Sequence, residues 1–185
     1  MIDVAAAVRA GIASLEANKI RYAVVGSVAA SVWGVLRSTR DIDVVVAVQP
    51  DQLLSWLSAI DPDEFYVPVE FARAAIRSGG SFNLLHLAGG SKIDIFVPDR
   101  HDQLAEATLN RRIRSDVFGE SCWVASAEDV VLAKLRWRFE TRSDRQWMDC
   151  TEIVASVELD REYLWSNAAA YGVTDDLKDL LSDST

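Results

Sequence analysis

The apolar positions change period several times along the chain, and each change marks an element. Val4, Val8, Ile12 and Leu15 recur at helical spacing, which predicts an amphipathic helix over roughly the first 18 residues. Ile20 to Val25 reads as a short strand, broken by Gly26-Ser27; SVAASVWGVL then resumes with helical composition, with Ser27 placed as an N-cap. Asp41 to Val48 is dense in β-branched residues, as strands are, and Pro50 closes it. DQLLSWLSAI follows as a helix with Asp51 in its first turn, and FARAAIRSGG as a shorter one stopped by Gly79-Gly80. SFNLLHLAGGSKIDIFV predicts two antiparallel strands around Gly89-Gly90. A helix near Asp102 to Asn110 and short strands across RRIRSDVFGESCWVAS complete the mixed part, and from Ala127 the pattern is helical nearly to the end.

This order predicts an α+β chain: a mixed sheet flanked by helices over residues 1–125, then a helical subdomain over 126–185, with a soft boundary near Ser126. At 185 residues the chain can bury one substantial core and hardly two. Its composition, half apolar and a quarter charged, is that of a soluble globular protein. Asp3, Arg9 and Glu16 interrupt the first segment, which therefore lacks the h-region of a signal peptide, and no later run approaches the ~20 apolar residues of a membrane span. A cytoplasmic protein without membrane contact is expected. Cys122 and Cys150, far apart among apolar neighbours, read as reduced core residues.

The net charge of −9 is uneven: from Asp149 onward nine carboxylates face only Arg161 and Lys178. Overall acidity argues against tight non-specific nucleic-acid binding, which gains its affinity by neutralising phosphates. Lys134, Arg136, Arg138, Arg142 and Arg145 nevertheless cluster beside Trp137, Phe139 and Trp147, a composition that suits single-stranded RNA or else a solvated helix face with its aromatics in the core. Arg111, Arg112 and Arg114 form a weaker cluster. His86 and His101 have no partner at ligand spacing, and no serine sits in a nucleophile elbow.

The candidate chemistry lies in acids on strands. Asp41 and Asp43 are two residues apart, so both project from one strand face, roughly 6 to 7 Å apart, while Ile42 points inward. Such a pair is either a solvated strand start or a cation site. Asp94 shares a face with Lys92 and Phe96; it lies in solvent near a strand end, pairs with Lys92 or an arginine, or joins the other two acids around metal. Gly26-Ser27, between strand and helix, offers backbone N–H groups and a hydroxyl to a phosphate, or is an ordinary capped turn.

VVGSVAASVWGVLRSTRDIDVVV, followed some fifty residues later by KIDIFV, resembles the DNA polymerase β-like nucleotidyltransferase superfamily. The shared pattern is a Gly-Ser turn, a helix, an Asp-x-Asp strand and a third Asp on a neighbouring strand. Arg37-Ser38-Thr39-Arg40-Asp41-Ile42-Asp43 further resembles the Arg-x-Thr-x-Asp-x-Asp form of bacterial AbiEii toxin-like proteins, and the thirteen residues between Ser27 and Asp41 lean the same way. The resemblance covers about residues 20 to 155.

It implies a nucleotidyltransferase fold and Mg²⁺-dependent transfer of a nucleotide, for instance from ATP, to a hydroxyl, with two ions held by Asp41, Asp43 and Asp94. Gly26, Ser27, Arg37, Thr39 and Arg40 would contact the nucleotide, as would Asp149 and Lys134, the latter also catalytic beside the three acids; their looser match leaves open a solvated lysine and an Arg145–Asp149 pair. The acceptor it suggests is transfer RNA, as in a toxin, with a small antibiotic-like hydroxyl compound as the alternative. A third expectation is a non-catalytic module paired with an antitoxin or other protein.

Overall fold

A computed structural model describes residues 4–36, 39, 41–99 and 101–182. In chain order its elements are α1 (Val4–Ala17), β1 (Arg21–Val25), α2 (Gly26–Val32), β2 (Asp41–Ala47), α3 (Pro50–Ala59), β3 (Phe65–Tyr66), α4 (Val69–Ser78), β4 (Gly80–His86), β5 (Lys92–Val97), α5 (Gln103–Arg111), β6 (Ile113–Val117), β7 (Glu120–Val124) and helices α6 (Ala127–Thr141), α7 (Asp144–Ser156), α8 (Arg161–Tyr171) and α9 (Thr174–Ser182).

The described strands form one mixed sheet in the order β3-β4-β5-β2-β1-β7-β6. The hairpin expected around Gly89-Gly90 is present as antiparallel β4–β5, whereas β2 and β5 run parallel. β1 pairs antiparallel with β2 on one side and parallel with β7 on the other, Val24 meeting Val124 one hundred residues along the chain. That second seam is short, extended by the Ala125 N–H donating to the Val24 carbonyl at 2.9 Å.

Alternation sorts the sheet into two faces. Ile42, Val44, Leu84, Ile93 and Ile95 lie on the buried face, against Val8, Ile12 and Leu15 of α1 and Trp56 of α3. On the opposite face α5 covers only part of the sheet, Leu109 closing over Ala23 and Val45. One apolar cluster continues from α1 through the sheet into α6–α9, including Val131, Leu135, Ile153, Leu164 and Leu177. Both cysteines are buried free thiols. Among the described residues no helix is long and apolar enough to cross a membrane.

Two local expectations change. Ser27 is not an N-cap; Val25 takes that position without a side-chain hydrogen bond, and Ser27 lies inside the first turn. Pro50 opens α3 rather than merely closing a strand, because a missing N–H costs nothing at a helix start. The two-residue β3 escapes any periodicity argument. Asp102 and Ser126 cap α5 and α6 through their side chains.

Candidate active site

The odd-numbered positions of β2 and the even-numbered positions of β5 share the open face. Asp41 stands opposite Lys92 and Asp43 opposite Asp94, so three carboxylates and one ammonium form a two-by-two block. The Lys92 Nζ lies 3.0 Å from Asp94 Oδ2 and 3.6 Å from Asp41 Oδ2. Asp43 is partly buried. Burial, then repulsion from Asp94 and Asp41, raises its carboxyl to about 6, partly offset by Lys92 and Lys134.

Gly26 makes this packing possible. Its φ of +64° favours glycine, and a β-carbon there would collide with the Asp43 carboxylate. Gly26, Ser27 and Asp43 border a cavity of about 450 Å³ between the open sheet face, α5 and α6. Its remaining polar lining is Thr108, Asp129, Lys134 and Gln146; Val25, Val45, Phe96, Val130 and Trp137 supply apolar surface.

Lys134 is not a solvated helix residue. It is buried, and its Nζ donates to Asp149 Oδ2 at 2.6 Å and to Gln146 Oε1 at 3.2 Å. The pair ties α6 to α7 at the cavity wall. Asp149 is buried behind Lys134, so the Arg145–Asp149 pair is replaced by this longer-range contact. The Thr39 hydroxyl donates to the Asp41 carbonyl at 3.0 Å, fixing the entry to β2. Arg37 and Arg40 lie outside the described residues.

Five arginines of the two clusters are engaged with their own chain. Arg136 pairs with Glu140 at 3.2 Å, and Arg138 pairs with Asp176 and lies over Trp147. Arg111 pairs with Glu128 and covers Tyr163, while Arg112 and Arg114 stack on Trp123. Trp137 and Phe139 are exposed rather than in the core, at 55% and 67%.

Sequence reasoning missed several residues here. Phe96 and Gln146 line the cavity. Asp129, almost fully buried, accepts from the Ser126 and Tyr163 hydroxyls at 2.8 and 2.7 Å, and burial dominates the upward shift of its carboxyl. Asn83 stands directly across from Asp94 on the open face, exposed and without a side-chain hydrogen bond to any described residue. Strand alternation would have found Asn83 once the β4–β5 register was known.

Three carboxylates on one face are an oxygen-only donor set suited to a hard cation, which would offset the repulsion that, after burial, raises the Asp43 carboxyl. As the side chains stand, no group of three His, Cys, Asp or Glu among the described residues is placed to hold an ion. Lys92 fills that electrostatic role instead. The chemistry of the set fits Mg²⁺, provided Lys92 leaves Asp94.

A family model, nucleotidyltransferase of unknown function (DUF6036), matches residues 4–178. The chain belongs to this family. Solved structures share the nucleotidyltransferase's fold at low identity. A nucleotidyltransferase-like antigenic protein from Paracoccidioides brasiliensis is 19% identical with a TM-score of 0.60, over 96% of this chain and 92% of that one. The antibiotic-resistance factor ANT(2'')-Ia is 13% identical with a TM-score of 0.57, over 98% and 97%. The lincosamide antibiotic adenylyltransferase LnuA, solved with lincomycin, is 13% identical with a TM-score of 0.57, over 84% and 99%. A comparison with curated proteins finds no match.

Proposed function

We propose that this nucleotidyltransferase transfers a nucleotide from a nucleoside triphosphate to a hydroxyl of a small acceptor. The carrying observation is the meeting of Asp43, Gly26-Ser27 and Lys134 around one cavity, with Asp41 and Asp94 on the same open sheet face. Gly26 and Ser27 lie where the chain can approach the phosphates most closely, and the apolar wall of Phe96 and Trp137 suits a nucleobase. Lys134, braced by Asp149 and Gln146, sets positive charge at the cavity's far side.

Asp41, Asp43 and Asp94 would hold Mg²⁺, which when bound neutralises phosphate charge and acidifies the acceptor hydroxyl. The acceptor oxygen forms a bond to the α-phosphorus as the bond from that phosphorus to the bridging oxygen breaks, and pyrophosphate leaves with the electron pair. Asp94, beside the exposed Asn83, takes the acceptor's proton and passes it to water. Asn83 offers both a donor and an acceptor to hold the acceptor hydroxyl.

A small acceptor is favoured over transfer RNA because five of the arginines are occupied by intramolecular carboxylates or rings. The fold-neighbour named for lincosamide adenylylation uses an acceptor of the same size class. The test is incubation with each labelled triphosphate, Mg²⁺ and, separately, lincomycin, tobramycin and bulk transfer RNA, following label and pyrophosphate. Transfer to a small hydroxyl compound, lost in Asp43→Asn, is expected. Full activity in Asp43→Asn would remove the site assignment; transfer to RNA alone would replace the acceptor class.

A further inference from the structure

Lys92 takes no part in the transfer reaction above, yet it bridges two acids of the block. Its ammonium reaches Asp94 at 3.0 Å and Asp41 at 3.6 Å, one from each strand. These are two of the three carboxylates that a metal would need. Its side chain is 42% exposed, so leaving the acids for water requires no repacking. With one positive charge against three negative ones, the block still attracts cations; what Lys92 denies them is access to Asp94.

We propose that Lys92 is an internal competing cation that keeps free divalent metal out of the acid block until a nucleotide arrives. This inference rests on the metal-centre reading given above. A free ion must displace the ammonium and leave it without an anion. A metal that enters with a triphosphate brings several negative oxygens, to one of which the released ammonium can turn on its flexible four-carbon stem. Metal and nucleotide then bind as one unit, and the empty site does not load with whichever divalent ion is most abundant.

The experiment uses Mn²⁺ alone as probe, with the full chain, measured by calorimetry and by the paramagnetic signal of the free ion. Wild type, Lys92→Met and Lys92→Arg are compared, with Asp43→Asn added to each. Lys92→Met should bind Mn²⁺ at least ~10-fold more tightly than wild type, because a neighbouring positive charge is gone. Lys92→Arg keeps the charge and should bind as weakly as wild type, which a purely structural role for the lysine would not require. The gain should vanish when Asp43→Asn is added. If Lys92→Met unfolds without metal, recovery of its circular dichroism on Mn²⁺ addition, absent with Asp43→Asn, gives the same result.

Equal, Asp43-dependent affinity in wild type and Lys92→Met would overturn the competing-cation role while leaving the metal centre intact. Absence of Asp43-dependent Mn²⁺ binding in every variant, with or without a mixture of the four nucleoside triphosphates, would overturn both.

Discussion

The carboxyl carbon of Asp43 lies 2.9 Å from the point where a side chain on Gly26 would begin, and one of its oxygens lies closer still. The first turn of α2 and the second acid of β2 thus share one space, which only the absence of a β-carbon permits. The backbone at Gly26, with φ at +64°, adds its own demand for glycine.

Gly26→Ala therefore strains the backbone and pushes Asp43 out of line. The cost is about 1–3 kcal/mol of stability. Urea unfolding should show the loss, and nucleotide transfer should fall further than stability does, since Asp43 is displaced even in molecules that remain folded.

Asp43 also sets a pH dependence. Its carboxyl is raised to about 6, so the folded state without metal holds the proton more tightly than the unfolded chain. The resulting stabilisation is complete below about pH 4 and is lost as pH rises through about 6. Over that window wild type should lose on the order of 2–3 kcal/mol relative to Asp43→Asn. Parallel urea titrations of the two proteins from pH 4 to 7.5 read the difference, and Mg²⁺ with triphosphate should reduce it.

The buried pair of Lys134 and Asp149 makes a third prediction. Lys134→Met leaves Asp149 buried without its lysine, which costs about 3–5 kcal/mol. Adding Asp149→Leu should restore much of that loss by removing the second charge. The double variant should fold yet bind triphosphate weakly, a separation that equilibrium unfolding and nucleotide titration check together.

Trp137 behaves in the opposite way. More than half exposed, it contributes little to the core, so Trp137→Ala should change stability by no more than about 0.5 kcal/mol. Loss of an aromatic wall should weaken triphosphate binding by about 5- to 10-fold. Quenching of tryptophan fluorescence by nucleotide in the wild type, diminished in the variant, is the direct measure.

Long periodic segments were legible before any coordinates. The helix through Val8 and Ile12, the strand through Ile42 and Val44 and the β4–β5 hairpin follow from spacing alone, because burial of one face dictates the repeat. Alternation likewise places Asp41 and Asp43 on one face, whereas Asp94 joined them only through the resemblance, and the β2–β5 pairing sets it opposite Asp43. What spacing does not carry is partnership across the chain. Lys134 meets Asp149 only once α6 and α7 pack, and Asn83 meets Asp94 only through the β4–β5 register. Thr39, read as a nucleotide contact, is held by a backbone carbonyl two residues away, a local turn preference that the motif conceals. Composition likewise counts charges without showing that Arg111, Arg112, Arg114, Arg136 and Arg138 already face carboxylates or rings of this chain.

The seam between β1 and β7 has a consequence for how the protein is made. β1 acquires its β2 partner soon after it is synthesised, yet its other edge waits for Val124 and Ala125. At ~5–20 residues per second, a ribosome leaves that edge bare for roughly 5–20 s, beside an apolar sheet already half assembled. Chains stopped before Ala125 keep it bare permanently. They should pellet with the ribosomes or in aggregates where the full-length chain remains in the supernatant, which makes β7 the strand that decides whether a newborn chain stays in solution.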